Sequence, residues 1–194
     1  MICYVTGNQY KFKSACRRLL PFKIKLKQKQ LAEIVEIQSD DIEKISLSKA
    51  QQAFQLLKCP LLVCDSAWYI TSLNGYPGAY MSYMNKWFNP EDFLNLMKGK
   101  SNREVILEEV VTYIDKNGYK TFRHRKPGTI LYSSKGNGIP SNTIISLSST
   151  GKSIAECDFE NIKASEGNGL WEDFGKWYSK QTSYKHQRKS TNQK

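Results

Sequence analysis

Asp65 ends the apolar run Leu61-Leu62-Val63-Cys64 and is followed by Ser66-Ala67. A Gly/Pro-punctuated segment comes soon after, Leu73-Asn74-Gly75-Tyr76-Pro77-Gly78-Ala79-Tyr80. A short buried strand that stops at an aspartate delivers a carboxylate to the rim of an α/β sheet. Ligands of open α/β sheets bind beyond the carboxyl ends of such strands. The same Asp-Ser pair also suits a helix cap or a turn. A second candidate group stands near the start. Ile2-Cys3-Tyr4-Val5 reads as a strand, Thr6-Gly7-Asn8 breaks it, and Phe12, Cys16, Leu19 and Leu20 then recur at helical spacing. A strand, tight turn and helix in this order point backbone N–H groups and a helix N-terminus at whatever lies above the strand, which suits a phosphate. Lys11, about one turn into the helix, can reach back to the same anion. The alternative is an ordinary N-capped helix with a basic face. The G-x-x-x-x-G-K-[S/T] spacing of a Walker loop is absent.

The elements that would position these groups can be read in order. Lys23-Ile24-Lys25-Leu26-Lys27 alternates as a half-exposed strand does. Ile34-Val35-Glu36-Ile37-Gln38 is a short apolar segment interrupted by an acid. Ser39 then opens an acid-rich helix start, and Ile42, Ile45, Leu47, Ala50, Ala53, Phe54 and Leu57 supply its apolar side, with Lys49 among them. Asn89-Pro90-Glu91-Asp92 begins another helix with Pro at its first position. Val105 to Ile114 and Tyr119 to Phe122 flank Asp115-Lys116-Asn117-Gly118, whose Asn-Gly predicts a hairpin. Thr129 to Tyr132 and Thr143 to Leu147 read as strands around a glycine-rich loop. Ser153 to Ile162 and Leu170 to Lys180 read as the last helices, the second packing Trp171, Phe174 and Trp177.

Composition narrows the class. The 194 residues are 40% hydrophobic and 24% charged, enough for one folded domain with a core. We take residues 1–183 as that domain and 184–194 as a basic C-terminal tail, ordered or disordered. No apolar run approaches the ~18 residues of a membrane span, so no membrane partner is expected. The N-terminus lacks the pattern of a signal peptide. Five scattered cysteines without a C-x-x-C pair fit reduced thiols in a cytoplasmic protein. The net charge of +11 favours polyanionic partners, and the basic tail offers an arm for nucleic acid.

Together the segments resemble the inosine triphosphate pyrophosphatase family of noncanonical purine nucleotide hydrolases. Four blocks in the same order carry the resemblance: Thr6-Gly7-Asn8-x-x-Lys11; Glu36-Ile37-Gln38-Ser39 with Ile45-x-x-x-Lys49-Ala50; Val63-x-Asp65-Ser66; and Leu73-Asn74-Gly75-x-Pro77-Gly78-Ala79-Tyr80. The resemblance implies an α/β fold with an elongated mixed central sheet flanked by helices, two lobes, a cleft between them, and a homodimer. It implies Mg²⁺-dependent hydrolysis of nucleoside triphosphates to the monophosphate and pyrophosphate. By position, Thr6, Asn8, Lys11 and Ser66 would bind the phosphates, and Lys49 would add positive charge. Glu36 would help hold the metal, and Asp65 would bind the metal or act as the catalytic general base on the attacking water.

The chain departs from the family at several places. Cys64 stands where a second acid usually precedes the aspartate, and Ser14 where the first helix often has a glutamate. Gly138-Ile139-Pro140-Ser141-Asn142 replaces a Gly-aromatic-Asp-Pro block, and Ser165-Glu166-Gly167 replaces a Ser-His-Arg block that contacts the base. Loss of those donors predicts altered base specificity. The alternative reading is a catalytically inactive relative that binds nucleotide or RNA.

Overall fold

A computed structural model describes residues 1–157 and 169–191, with side chains through 181. The elements run β1 (Ile2–Val5), α1 (Gln9–Leu19), β2 (Leu26–Lys29), α2 (Ile42–Leu57), β3 (Leu61–Ile70), β4 (Pro77–Gly78), α3 (Met81–Trp87) and α4 (Pro90–Leu96). There follow β5 (Glu104–Asp115), β6 (Gly118–Ile130), α5 (Pro140–Ile144), β7 (Ile145–Ser146) and α6 (Leu170–Thr191). The strands form one seven-stranded mixed sheet in the order β2-β1-β3-β5-β6-β7, with β4 on β3. β1 pairs in parallel with β2 and β3, and the pairs among β3, β4, β5, β6 and β7 are antiparallel.

Two local signals explain much of this frame. Asn117-Gly118 closes the β5–β6 hairpin, with Asp115 paired to Gly118. Asn89 caps α4 through a capping box with Asp92, and Pro90 takes the first helical position, where its missing N–H costs nothing.

Apolar packing divides the sheet lengthwise. Over one face, α1 and α6 bury Tyr4, Leu19, Leu62, Val111 and Phe174. Over the other, α2 sets Ala50 and Ala53 on Leu61, Val63 and Ile114. Further along the same strands a separate core joins Ile70, Met81, Phe93, Val105, Ile130 and Ile144. The molecule therefore has two lobes that share the strands β3 and β5.

β3 passes between the lobes with one edge partly uncovered. All ten of its residues pair with β5 on one side. On the other side β1 covers only Leu61 and Leu62, and β4 resumes at Trp68 and Tyr69. The edge from Val63 to Ala67 opens between them. That gap at the end of a parallel strand is where an α/β sheet takes its ligand.

Several sequence expectations need correction. β3 does not stop at Asp65 but continues to Ile70, held by the unbroken ladder to β5. The expected strand 23–27 begins at Leu26 instead, because a turn of 3₁₀ helix at Leu20–Phe22 is followed by Lys23 in the left-handed region (φ 56°). Thr129–Ile130 close the long strand β6 and do not start a new one. Residues 143–147 are divided, since Pro140 starts the short helix α5 and only Ile145–Ser146 are strand. Asp41, not Ser39, caps α2. The expected helix from Ser153 is a 3₁₀ turn over Ile154–Glu156, and the rest of that segment lies outside the described residues. The backbone of α6 continues to Thr191, well into the basic C-terminal segment.

Candidate active site

A cleft of about 710 Å³ lies along the open edge of β3, within the size range of small-molecule sites. Thr6, Asn8, Lys11, Glu36, Lys49, Asp65 and Ser66 all line it. The sequence thus named seven residues that the fold gathers from four separate segments.

The β1–α1 turn forms one wall. The Thr6 hydroxyl accepts the Asn8 N–H at 3.1 Å, and Asn8 Oδ1 accepts the Lys11 N–H at 3.0 Å as the N-cap of α1. Asn8 therefore caps the helix while lining the cleft. The first turn of α1 carries no acid, so its positive dipole end is left for a ligand anion. Lys11 crosses to β3, where Nζ donates to the Cys64 carbonyl at 3.4 Å and to Ser66 Oγ at 3.3 Å.

The α2 side forms the second wall. Lys49 Nζ donates to Asp65 Oδ1 and to Glu36 Oε2, both at 2.6 Å. Burial alone would lower the Lys49 pKa, but the charges and hydrogen bonds of Asp65 and Glu36 outweigh it and hold it above its ordinary value. Asp65 is 8% exposed, and its second oxygen, Oδ2, is buried with no hydrogen-bond partner. A buried carboxylate oxygen left unsatisfied costs free energy until a proton donor or a cation reaches it.

That orphaned oxygen decides whether the residues suit a divalent cation. Asp65 and Glu36 supply hard oxygen donors, and Mg²⁺ commonly takes one or two carboxylates and completes its shell with phosphate and water. Among the described residues no group of three or more His, Cys, Asp or Glu side chains is placed to hold a metal unaided. The residues fit a cation shared with a phosphorylated substrate. Cys64 adds nothing as a ligand. Burial pushes its thiol up to about 12, with Lys11 pulling it down and Glu109 and Asp65 pushing it up, so it stays protonated at neutral pH.

The far end of the cleft belongs to the second lobe. Ile139, Ser141 and Asn142, from the block that replaces the aromatic-Asp-Pro pattern, line it with Trp68 and Asn85. Asn85 Oδ1 accepts the Ser141 N–H at 2.9 Å and ties α3 to α5. Ser165-Glu166-Gly167 lies outside the described residues.

Sequence reasoning missed Glu109 and Lys126, which line the cleft from β5 and β6. A signal for Glu109 was present. Consecutive acids in a strand must face opposite ways, so Glu108-Glu109 puts one carboxylate on each side of the sheet. Glu108 is 1% exposed and pairs with Arg123 and Arg125. Glu109 faces the cleft.

The chain as a whole is similar to known proteins. The dITP/XTP pyrophosphatase of Methanopyrus kandleri is 30% identical over 91% of this chain and 95% of its own. The inosine triphosphate pyrophosphatase of Candida glabrata is 31% identical over 88% of this chain and 94% of its own. Two solved structures share the fold: a HAM1 protein from Coxiella burnetii (TM-score 0.74, 21% identity, 93% of this chain and all of that one) and the Staphylococcus aureus Ham1 protein (0.73, 19%, with the same coverage). The Ham1 family model matches residues 2–165, a span that takes in both walls of the cleft, and on that match the chain belongs to the Ham1 family.

Proposed function

We propose that this protein hydrolyses noncanonical nucleoside triphosphates to the monophosphate and pyrophosphate with Mg²⁺, acting as a cytoplasmic homodimer with altered base specificity. The observation that carries the reading is Asp65. It is nearly buried at the open edge of β3, with Oδ1 fixed by Lys49 and Oδ2 unpartnered in a cleft rich in cations. Relatives across nearly the whole chain that carry pyrophosphatase names support the substrate class.

The residues divide the work by position. The Thr6–Asn8 turn, the N-terminus of α1 and Lys11 hold the phosphate chain, while Lys49 balances charge on the α2 side. Ser66 adds a hydroxyl beside Lys11. Lys49 holds Asp65 in place through Oδ1, so that Oδ2 can take a proton from a water attacking an α-phosphorus in line with the leaving pyrophosphate. Water gains the bond to phosphorus, the bridging P–O bond breaks, and the proton passes to Asp65. Mg²⁺ held by Asp65 and Glu36 would neutralise charge on the phosphate oxygens as the bond breaks. The base end, built from Trp68, Asn85, Ser141 and Asn142, offers amides and a hydroxyl, so its preference should differ from that of a pocket built on His and Arg.

The test is a panel of inosine, xanthosine, deoxy and common triphosphates with Mg²⁺, with both products identified. Monophosphate and pyrophosphate in equal amounts from at least one substrate is the expected result. Release of orthophosphate alone, or no turnover across the panel, overturns the proposal and favours the inactive nucleotide- or RNA-binding alternative. Light scattering on the same preparation tests the dimer.

A further inference from the structure

We propose that Glu109 takes over the role of the acid missing at position 64, holding the hydrated divalent cation from the neighbouring strand. This inference rests on the proposed pyrophosphatase function. It starts from the register of the sheet. Ser66 pairs with Glu109 and Cys64 with Val111, so Glu109 stands on the same face as both and one step diagonally from Cys64. Diagonal neighbours of this kind lie about 7–8 Å apart, within reach of a long side chain. A glutamate at 109 can therefore present its carboxylate in front of position 64, where the Cys64 side chain is buried.

The cleft agrees, because Glu109 lines it together with Lys11, Cys64, Asp65 and Ser66. Asp65 supplies the second half of the argument, with a nearly buried oxygen that has no partner in the same cleft. The described acids do not form a closed cage, so Glu109 would act through the water shell that Mg²⁺ keeps, as outer-shell carboxylates do.

The experiment is Mn²⁺ binding to the full-length protein, read by electron paramagnetic resonance with a nonhydrolysable α,β-imido triphosphate present. Glu109→Gln should weaken Mn²⁺ binding about tenfold, the lower end of the effect of outer-shell carboxylates. Glu172→Gln, a charge removed from the exposed surface of α6, should leave it unchanged. Placing an acid at the old position, Cys64→Asp on the Glu109→Gln background, should recover part of the loss. The single Glu109→Gln variant decides the matter if that double variant does not fold. Unchanged Mn²⁺ affinity in Glu109→Gln, with tighter analogue binding in metal-free buffer, would show that Glu109 is only a counterion of the phosphate wall and would overturn the inference. Failure here with normal wild-type turnover removes only the role of Glu109. Absent wild-type turnover with intact Glu109-dependent Mn²⁺ binding removes the pyrophosphatase reading instead.

Discussion

Replacing Lys49 by Met keeps an unbranched stem against α2 and removes the ammonium that joins Glu36 to Asp65 at 2.6 Å on each side. Asp65 would then hold a nearly buried charge with both oxygens unpaired. Breaking a fully buried pair this way costs about 3–5 kcal/mol, while exposed pairs are worth about 0–1 kcal/mol. The Lys49 and Asp65 side chains are 22% and 12% exposed, so the pair belongs near the buried end of that range with some discount. The Glu36 side chain is 43% exposed and adds little. A loss of about 2–3 kcal/mol follows, equivalent to a fall of roughly 5–10 °C in Tm for a chain of this size. Urea and thermal unfolding of wild type, K49M, D65N and the double variant measure it. In the D65N background the same Lys49 change should cost at least about 1 kcal/mol less, because no buried charge is stranded. The sign with pH is also fixed. The Lys49 pKa is raised on folding, so its contribution is complete below the ordinary value of 10.5 and is lost as pH rises through the higher folded value. The gap between wild type and K49M should be flat above neutrality and close only in strong alkali. Equal costs of K49M in both backgrounds would refute the argument.

Two other outcomes follow from the packing. Cys64 should resist iodoacetamide at pH 8 in the folded protein and react after unfolding, since its thiol lies at about 12 and is 8% exposed; peptide mapping by mass spectrometry reads this, and rapid native labelling would contradict it. Gly175→Ala should destabilise by about 1–3 kcal/mol in a thermal melt, although alanine in a helix is normally favoured over glycine by about 1 kcal/mol. A Cβ there would collide with the Phe22 ring, so a stabilised variant would show that α6 packs differently.

Much of the site was legible because its residues sit at punctuated places. The break at Thr6-Gly7-Asn8, the helix behind it and the Asn117-Gly118 hairpin are local signals, and each formed where expected. The course of β3 was not legible. Asp65 looked like a strand end because a charge follows four apolar residues, yet the strand runs on to Ile70 because β5 pairs along all of it. Asp65 opens onto the cleft because β1 is short and uncovers the edge, a property of two distant segments. Glu36 lies outside regular structure, and Lys49 connects it to Asp65. Residues 143–147 carried the β-branched composition of a strand, but Pro140 committed the segment to a helical turn first. Glu109 sits in a mostly apolar strand, where only the alternation of faces separates it from the buried Glu108.

The most direct measurement is pyrophosphate release by wild type and Asp65→Asn under saturating Mg²⁺, with circular dichroism confirming that both are folded. The account predicts turnover by wild type and a loss of at least about a thousandfold in the variant, since the substitution removes the proton acceptor and a metal oxygen while keeping the volume. A folded Asp65→Asn that releases pyrophosphate at the wild-type rate would contradict it.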